Sequence, residues 1–114
     1  MTLSNAKYLS ETERRALAEI KQRVLACFNV RRFILFGSKA RGDYEPCSDV
    51  DLLIVTERDI SHRERHDISD IITQVNLEHD TLFSSVVVSA NKWDSKLYSF
   101  YPIHATVTRE GITV

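Results

Sequence analysis

Phe36-Gly37-Ser38-Lys39-Ala40-Arg41-Gly42-Asp43 and, a few residues on, Ser48-Asp49-Val50-Asp51-Leu52-Leu53-Ile54 form the stretch on which the reading of this chain turns. The segment 30–36 leading into it reads as a strand, continuously apolar from Phe33 to Phe36, as expected of a strand covered on both faces. Gly37-Ser38 stops the strand. Lys39-Ala40-Arg41 suits a single helical turn, and Gly42-Asp43-Tyr44-Glu45-Pro46 is loop. The segment 50–55 is a second strand, apolar except for the carboxylate of Asp51.

Upstream, Ser10-Glu11-Thr12-Glu13 has the form of a capping box, and Leu17, Ile20, Val24 and Phe28 follow at helical spacing. These predict a helix over about 11–28. Downstream, Ile68, Ile71, Ile72 and Val75 mark a second helix over about 61–78. Leu82-Phe83-Ser84-Ser85-Val86-Val87-Val88-Ser89 predicts a third strand, and Trp93 and Leu97 a short helix. The tail carries two opposed signals. Thr106-Val107-Thr108 favours strand by propensity, whereas Pro102 followed by Gly111 is the signature of a short helix. The order predicts an α/β (α+β) domain over 1–114, a small mixed sheet with helices packed against it.

The chain has 114 residues, enough for one modest core. A net charge of -1 argues against a general nucleic-acid binder that relies on bulk positive charge. No apolar run approaches the roughly 20 residues of a membrane span. The segment Met1 to Tyr8 is polar and unlike a signal peptide, so the expected location is the cytoplasm. Two cysteines do not make a disulfide framework; Cys27, among apolar residues near a helix end, is expected in the core, and Cys47 in a loop. His62 and His66 lie in a stretch rich in both charges and are expected on a solvated helix face.

The chemistry sits in the opening stretch. Asp49 and Asp51, two apart at the start of a strand, are expected on one face. Two carboxylates side by side repel, and a divalent cation removes the conflict. Oxygen ligands of this kind suit Mg²⁺, which also takes substrate phosphates. Gly37 lets a phosphate approach the backbone, Ser38 adds a hydroxyl donor, and Lys39 and Arg41 are nearby cations.

Together the two motifs resemble the signature of the minimal nucleotidyltransferases of the DNA polymerase beta-like nucleotidyltransferase superfamily: Gly-Ser, then Asp-x-Asp after about ten residues. Ser89-Ala90-Asn91-Lys92-Trp93 and Arg109-Glu110-Gly111 are similar to a bacterial subgroup of these proteins. The resemblance implies a nucleotidyltransferase fold, with Gly37 and Ser38 holding nucleotide phosphates and Mg²⁺ on a catalytic pair, Asp49 and Asp51. It implies transfer of a nucleoside monophosphate, typically AMP from ATP, to a protein or other acceptor. It further implies a helical partner of the HEPN type, an RNase toxin for which the nucleotidyltransferase is the antitoxin; a second copy of the chain is the other candidate to complete the site. The superfamily usually supplies a third carboxylate from the next strand. Here that strand offers Ser84 and Ser85, and the nearest acids, Glu78 and Asp80, precede it. Two readings follow: a Mg²⁺-dependent transferase, or a nucleotide-binding antitoxin of weak or no catalytic activity that acts by contact.

Overall fold

The computed structural model describes residues 6–114, so the polar segment 1–8 lies largely outside the described residues. Both long helices begin on a capping box. At α1 (Glu11–Cys27) the Ser10 hydroxyl accepts from the Glu13 N–H at 3.1 Å, and Glu13 accepts from the Ser10 N–H at 2.9 Å. Ser61 and Glu64 repeat the exchange at α3 (His62–His79). Each cap satisfies two of the amide groups that a helix start leaves without partners.

Between and after these helices come β1 (Val30–Phe36), the one-turn α2 (Ser38–Arg41), β2 (Val50–Thr56) and β3 (Phe83–Ser89). A short α4 (Ala90–Trp93), a 3₁₀ turn at Tyr98–Phe100, α5 (Pro102–Glu110) and a two-residue β4 (Ile112–Thr113) complete the chain. The strands stand in the order β3-β2-β1-β4. β1 is antiparallel to both β2 and β4, while β2 and β3 are parallel. A parallel pair needs a crossover, and α3 supplies it. The Asn76 side chain fastens this crossover to β3: it accepts from the Phe83 N–H and donates to the Phe83 carbonyl, both at 2.9 Å.

The sheet is covered on both sides, which is why β1 and β2 read as unbroken apolar runs. One face carries Phe33, Leu35, Leu52, Ile54 and Phe83 against Leu17, Ile20 and Val24 of α1 and Ile68, Ile72 and Val75 of α3. Phe28 and Ile71 are half-buried beside them. The other face carries Ile34, Leu53, Val55 and Val88 against Ala90 and Trp93 of α4 and Val107 of α5.

Two expectations change. The tail signal that prevails at 106–108 is the helical one: Pro102 opens α5, and Val107 is buried from within that helix. Cys27 is exposed rather than in the core: Val24 and Phe28 hold the inward side of the helix at this end, and Leu25, Ala26 and Cys27 lie away from it. Cys47 is exposed as expected, as are His62 and His66 on α3.

Candidate functional site

The antiparallel pairing of β1 with β2 fixes the site. It sets Phe36, the last residue of β1, opposite Asp51, while the parallel pairing sets Ser84 of β3 on the other side of Asp51. The turn after β1 therefore lands beside the carboxylate at the start of β2. Gly37 takes φ +80, and a Cβ there would overlap Asp51 Oδ2. Only glycine meets both demands, a positive φ and a carboxylate against its Cα.

Asp51 is partly buried, and Asp49 precedes it just outside the strand, exposed. Burial and then the neighbouring Asp49 charge push the Asp51 carboxyl above its ordinary pKa; Arg41 pulls it back and Glu110 adds to the rise. The rise is chiefly the cost of burying one carboxylate, and the negative charge of its neighbour adds to it. A hard divalent cation coordinated by both oxygens would relieve it, so the residues present fit Mg²⁺.

The rest of the predicted set divides. Among the described residues, the Ser38 and Lys39 amides and the Ser38 hydroxyl have no hydrogen-bond partner. They start the turn next to the carboxylates. Arg41 lies at the same place: Nη1 donates to Glu110 Oε2 at 2.8 Å and Nε to Asp43 at 3.0 Å, leaving Nη2 without a partner. The Lys39 side chain was expected among the phosphate-facing cations and is committed elsewhere. It is buried, with Nζ 3.1 Å from Glu13 Oε1 and 4.0 Å from the centre of the Tyr44 ring. Its charge is already paired, and it locks α2 to the start of α1.

Sequence reasoning noted Glu110 only within the Arg109-Glu110-Gly111 resemblance and gave it no place at the site. Its carboxylate, on the last residue of α5, accepts from the Gly37 N–H at 2.8 Å as well as from Arg41. No local spacing announces a contact between residues so far apart; only the pairing of β4 with β1 brings the end of α5 under the turn.

The third position is as the sequence has it. Ser84, exposed, stands where β3 faces Asp51. Asp80 caps α3 in a left-handed conformation, φ 57, ahead of β3. Among the described residues no third carboxylate, histidine or cysteine gathers with Asp49 and Asp51 tightly enough to share one ion. The trio that does gather, Glu19, Glu78 and His79 between α1 and α3, already holds the Arg23 guanidinium as its cation.

Comparison with known proteins bears on the family and the fold. Residues 14–106 match the nucleotidyltransferase domain family. A protein of Methanocaldococcus jannaschii named as a candidate protein adenylyltransferase is 35% identical over 83 residues, 72% of this chain and 75% of its own length. Among solved structures, a candidate nucleotidyltransferase from Sulfolobus solfataricus superposes with a TM-score of 0.56 at 20% identity, over 87% of this chain and 76% of that one. A toxin-antitoxin structure with AMP-PNP superposes with a TM-score of 0.60 at 13% identity, over 87% of this chain and 69% of that one. These two likenesses are of fold. The match over 14–106, together with the archaeal relative, makes this chain a member of the nucleotidyltransferase domain family and a nucleotidyltransferase.

Proposed function

We propose that the protein transfers AMP from ATP to a hydroxyl of a protein acceptor, with Mg²⁺ on Asp49 and Asp51. The observation that carries this reading is the Gly37 turn packed on Asp51. It sets three unpaired donors, the Ser38 and Lys39 amides and the Ser38 hydroxyl, beside a carboxylate pair in need of a cation. A triphosphate supplies what each half lacks: oxygens for the donors, and further ligands for the ion. Arg41 Nη2 adds a charged donor at the same end. Bound there, the metal would supply Lewis-acid stabilisation of the phosphoryl charge.

In the transfer, the acceptor oxygen forms a bond to the α-phosphorus, and the bond from that phosphorus to the bridging oxygen breaks. Pyrophosphate leaves with the electron pair, and the acceptor proton passes to solvent. Ser38 and Arg41 orient the phosphates. With serine rather than a carboxylate at Ser84, proton removal from the acceptor is unassisted by this chain. General-base help is worth ~10²–10⁴-fold, so transfer is slow unless a partner contributes.

The reading places the protein in the cytoplasm with ATP and Mg²⁺; none of its described helices is long and apolar enough to cross a membrane. It also takes a helical HEPN-type toxin as acceptor and partner, which the likeness to a toxin-antitoxin structure supports. The vacancy at Ser84 favours a second reading, an antitoxin that binds nucleotide but neutralises its partner by contact. Incubation with ATP labelled at the α-phosphate, Mg²⁺ and a helical protein encoded beside this one separates the two. Label appearing on the partner, and lost in Asp49→Ala and Asp51→Ala, is expected for the transferase. Neutralisation without label, unchanged in both variants, rejects it.

A further inference from the structure

Glu110 is an expensive residue to keep. Its side chain is 8% exposed although it ends a helix, where a negative charge meets the negative end of the helix dipole. It also adds to the negative field on Asp51. One oxygen, Oε1, is buried without a hydrogen bond, with Arg109 Nη2 3.8 Å away. The other oxygen, Oε2, is fully used by the Gly37 N–H and by Arg41 Nη1. Joining α5 to β1 needs no charge, since an apolar contact of similar volume would do so at lower cost. What an apolar side chain cannot do is accept from the amide of a buried glycine turn and orient a guanidinium.

We propose that Glu110 is a positioning residue of the nucleotide site: its carboxylate fixes the Gly37 turn and aims Arg41, and thereby removes the Gly37 amide from the phosphate donors. The inference rests on the nucleotidyl-transfer reading of the site. It assigns the triphosphate to the Ser38 and Lys39 amides, the Ser38 hydroxyl and Arg41 Nη2, and it gives Gly37 the separate task of letting Asp51 approach. Glu110 acts through these groups and not on the nucleotide.

The sign of one measurement separates this role from its opposite, a carboxylate that merely occupies a phosphate position until nucleotide expels it. Calorimetry with Mg·ATP is run on the wild type, Glu110→Gln, Glu110→Ala, Arg41→Ala and the Glu110→Ala, Arg41→Ala double variant. Thermal unfolding of each serves as a control. A positioning role weakens ATP binding roughly tenfold or more in Glu110→Ala, the range for a lost hydrogen bond to a charged group. Glu110→Gln, whose amide oxygen still accepts from Gly37 and Arg41, stays within about threefold of wild type. The double variant loses less than the sum of the two single losses, because part of the effect of Glu110 runs through Arg41. ATP binding that is unchanged or tighter in a folded Glu110→Ala overturns the proposal. If that variant does not fold, Glu110→Asp, which keeps the charge but withdraws it by one methylene, takes its place with the same expected loss. Amide exchange of Gly37, followed by NMR, reads the anchoring without nucleotide and is expected to be slow in wild type. Free exchange at Gly37 in a wild type that binds ATP rejects the positioning role alone; a wild type that binds no Mg·ATP rejects the nucleotidyl-transfer reading and this role with it.

Discussion

At the scale of single residues, Asp51 sits inside a sheet at a cost that the free protein bears. Burial and Asp49 raise its pKa, so the folded state disfavours the charged form relative to the unfolded chain. A carboxyl raised in this way loses stability as the pH climbs past its unfolded value, and near neutrality the whole penalty is in place. Asp51→Asn removes the charge at nearly constant shape. The ligand-free variant is therefore expected to melt above wild type at pH 7, while the proposed AMP transfer falls on the order of 10²–10³-fold. A variant that melts lower, or transfers as well as wild type, contradicts the role given to this carboxylate. The placing of the Gly37-Ser38 turn beside Asp51 was legible in the sequence because each motif is a few residues long and strand pairing does the rest. Lys39 was misjudged because its type and spacing suit a phosphate ligand, and only the position of Glu13 shows its charge to be taken.

At the scale of elements, the helices that could be read are those whose ends are written in side chains. The Ser61–Glu64 box also gives α3 a pH dependence. Hydrogen bonds from the Arg58 side chain and the Ser61 backbone, with the Arg58 charge, hold the Glu64 carboxyl down at about 2 from an ordinary 4.5. A depressed carboxyl contributes stability that is present above 4.5 and lost as the pH falls toward 2. Ser61→Ala is expected to cost about 1 kcal/mol in urea unfolding at pH 7, the usual worth of an N-cap. Glu64→Gln should flatten the acid limb of the stability curve between those two pH values; an unchanged acid limb would show that the cap does not govern it. α5 was ambiguous in the sequence because β-branched residues at 106–108 vote for strand while its helix-defining features stand at the two ends. Cys27 was expected in the core because its neighbours in sequence are apolar, but apolar neighbours do not say which side of the helix faces inward, and Val24 and Phe28 take that side.

At the scale of the molecule, the sheet has two central strands, β2 and β1, whose identity follows from their apolar runs, and two edge strands whose order does not. β4 is two residues long, too short to carry a pattern, yet it decides where the chain's end goes. The Lys21 ammonium adds a second tie there, donating to the Val114 carbonyl at 2.5 Å. The class of fold was thus legible from alternation of helix and strand. The path of the last segment, and with it Glu110, was not.

That path bears on the order in which the protein comes together. Gly37 and Glu110 are 73 positions apart, whereas β1 and β2 are joined by a short connection and meet early. Contacts that close long loops form late, because the entropy of closure precedes any reward. The Gly37 turn therefore acquires its final shape after most of the helix and sheet are present. In stopped-flow refolding, far-UV ellipticity is expected to recover ahead of competence to bind a fluorescent ATP analogue; coincident recovery would place β4 and Glu110 in the folding nucleus instead. On the proposed reading, a chain halted short of this last docking would hold its secondary structure and yet discharge no ATP, so that completion of the fold itself would act as the licence for nucleotide chemistry.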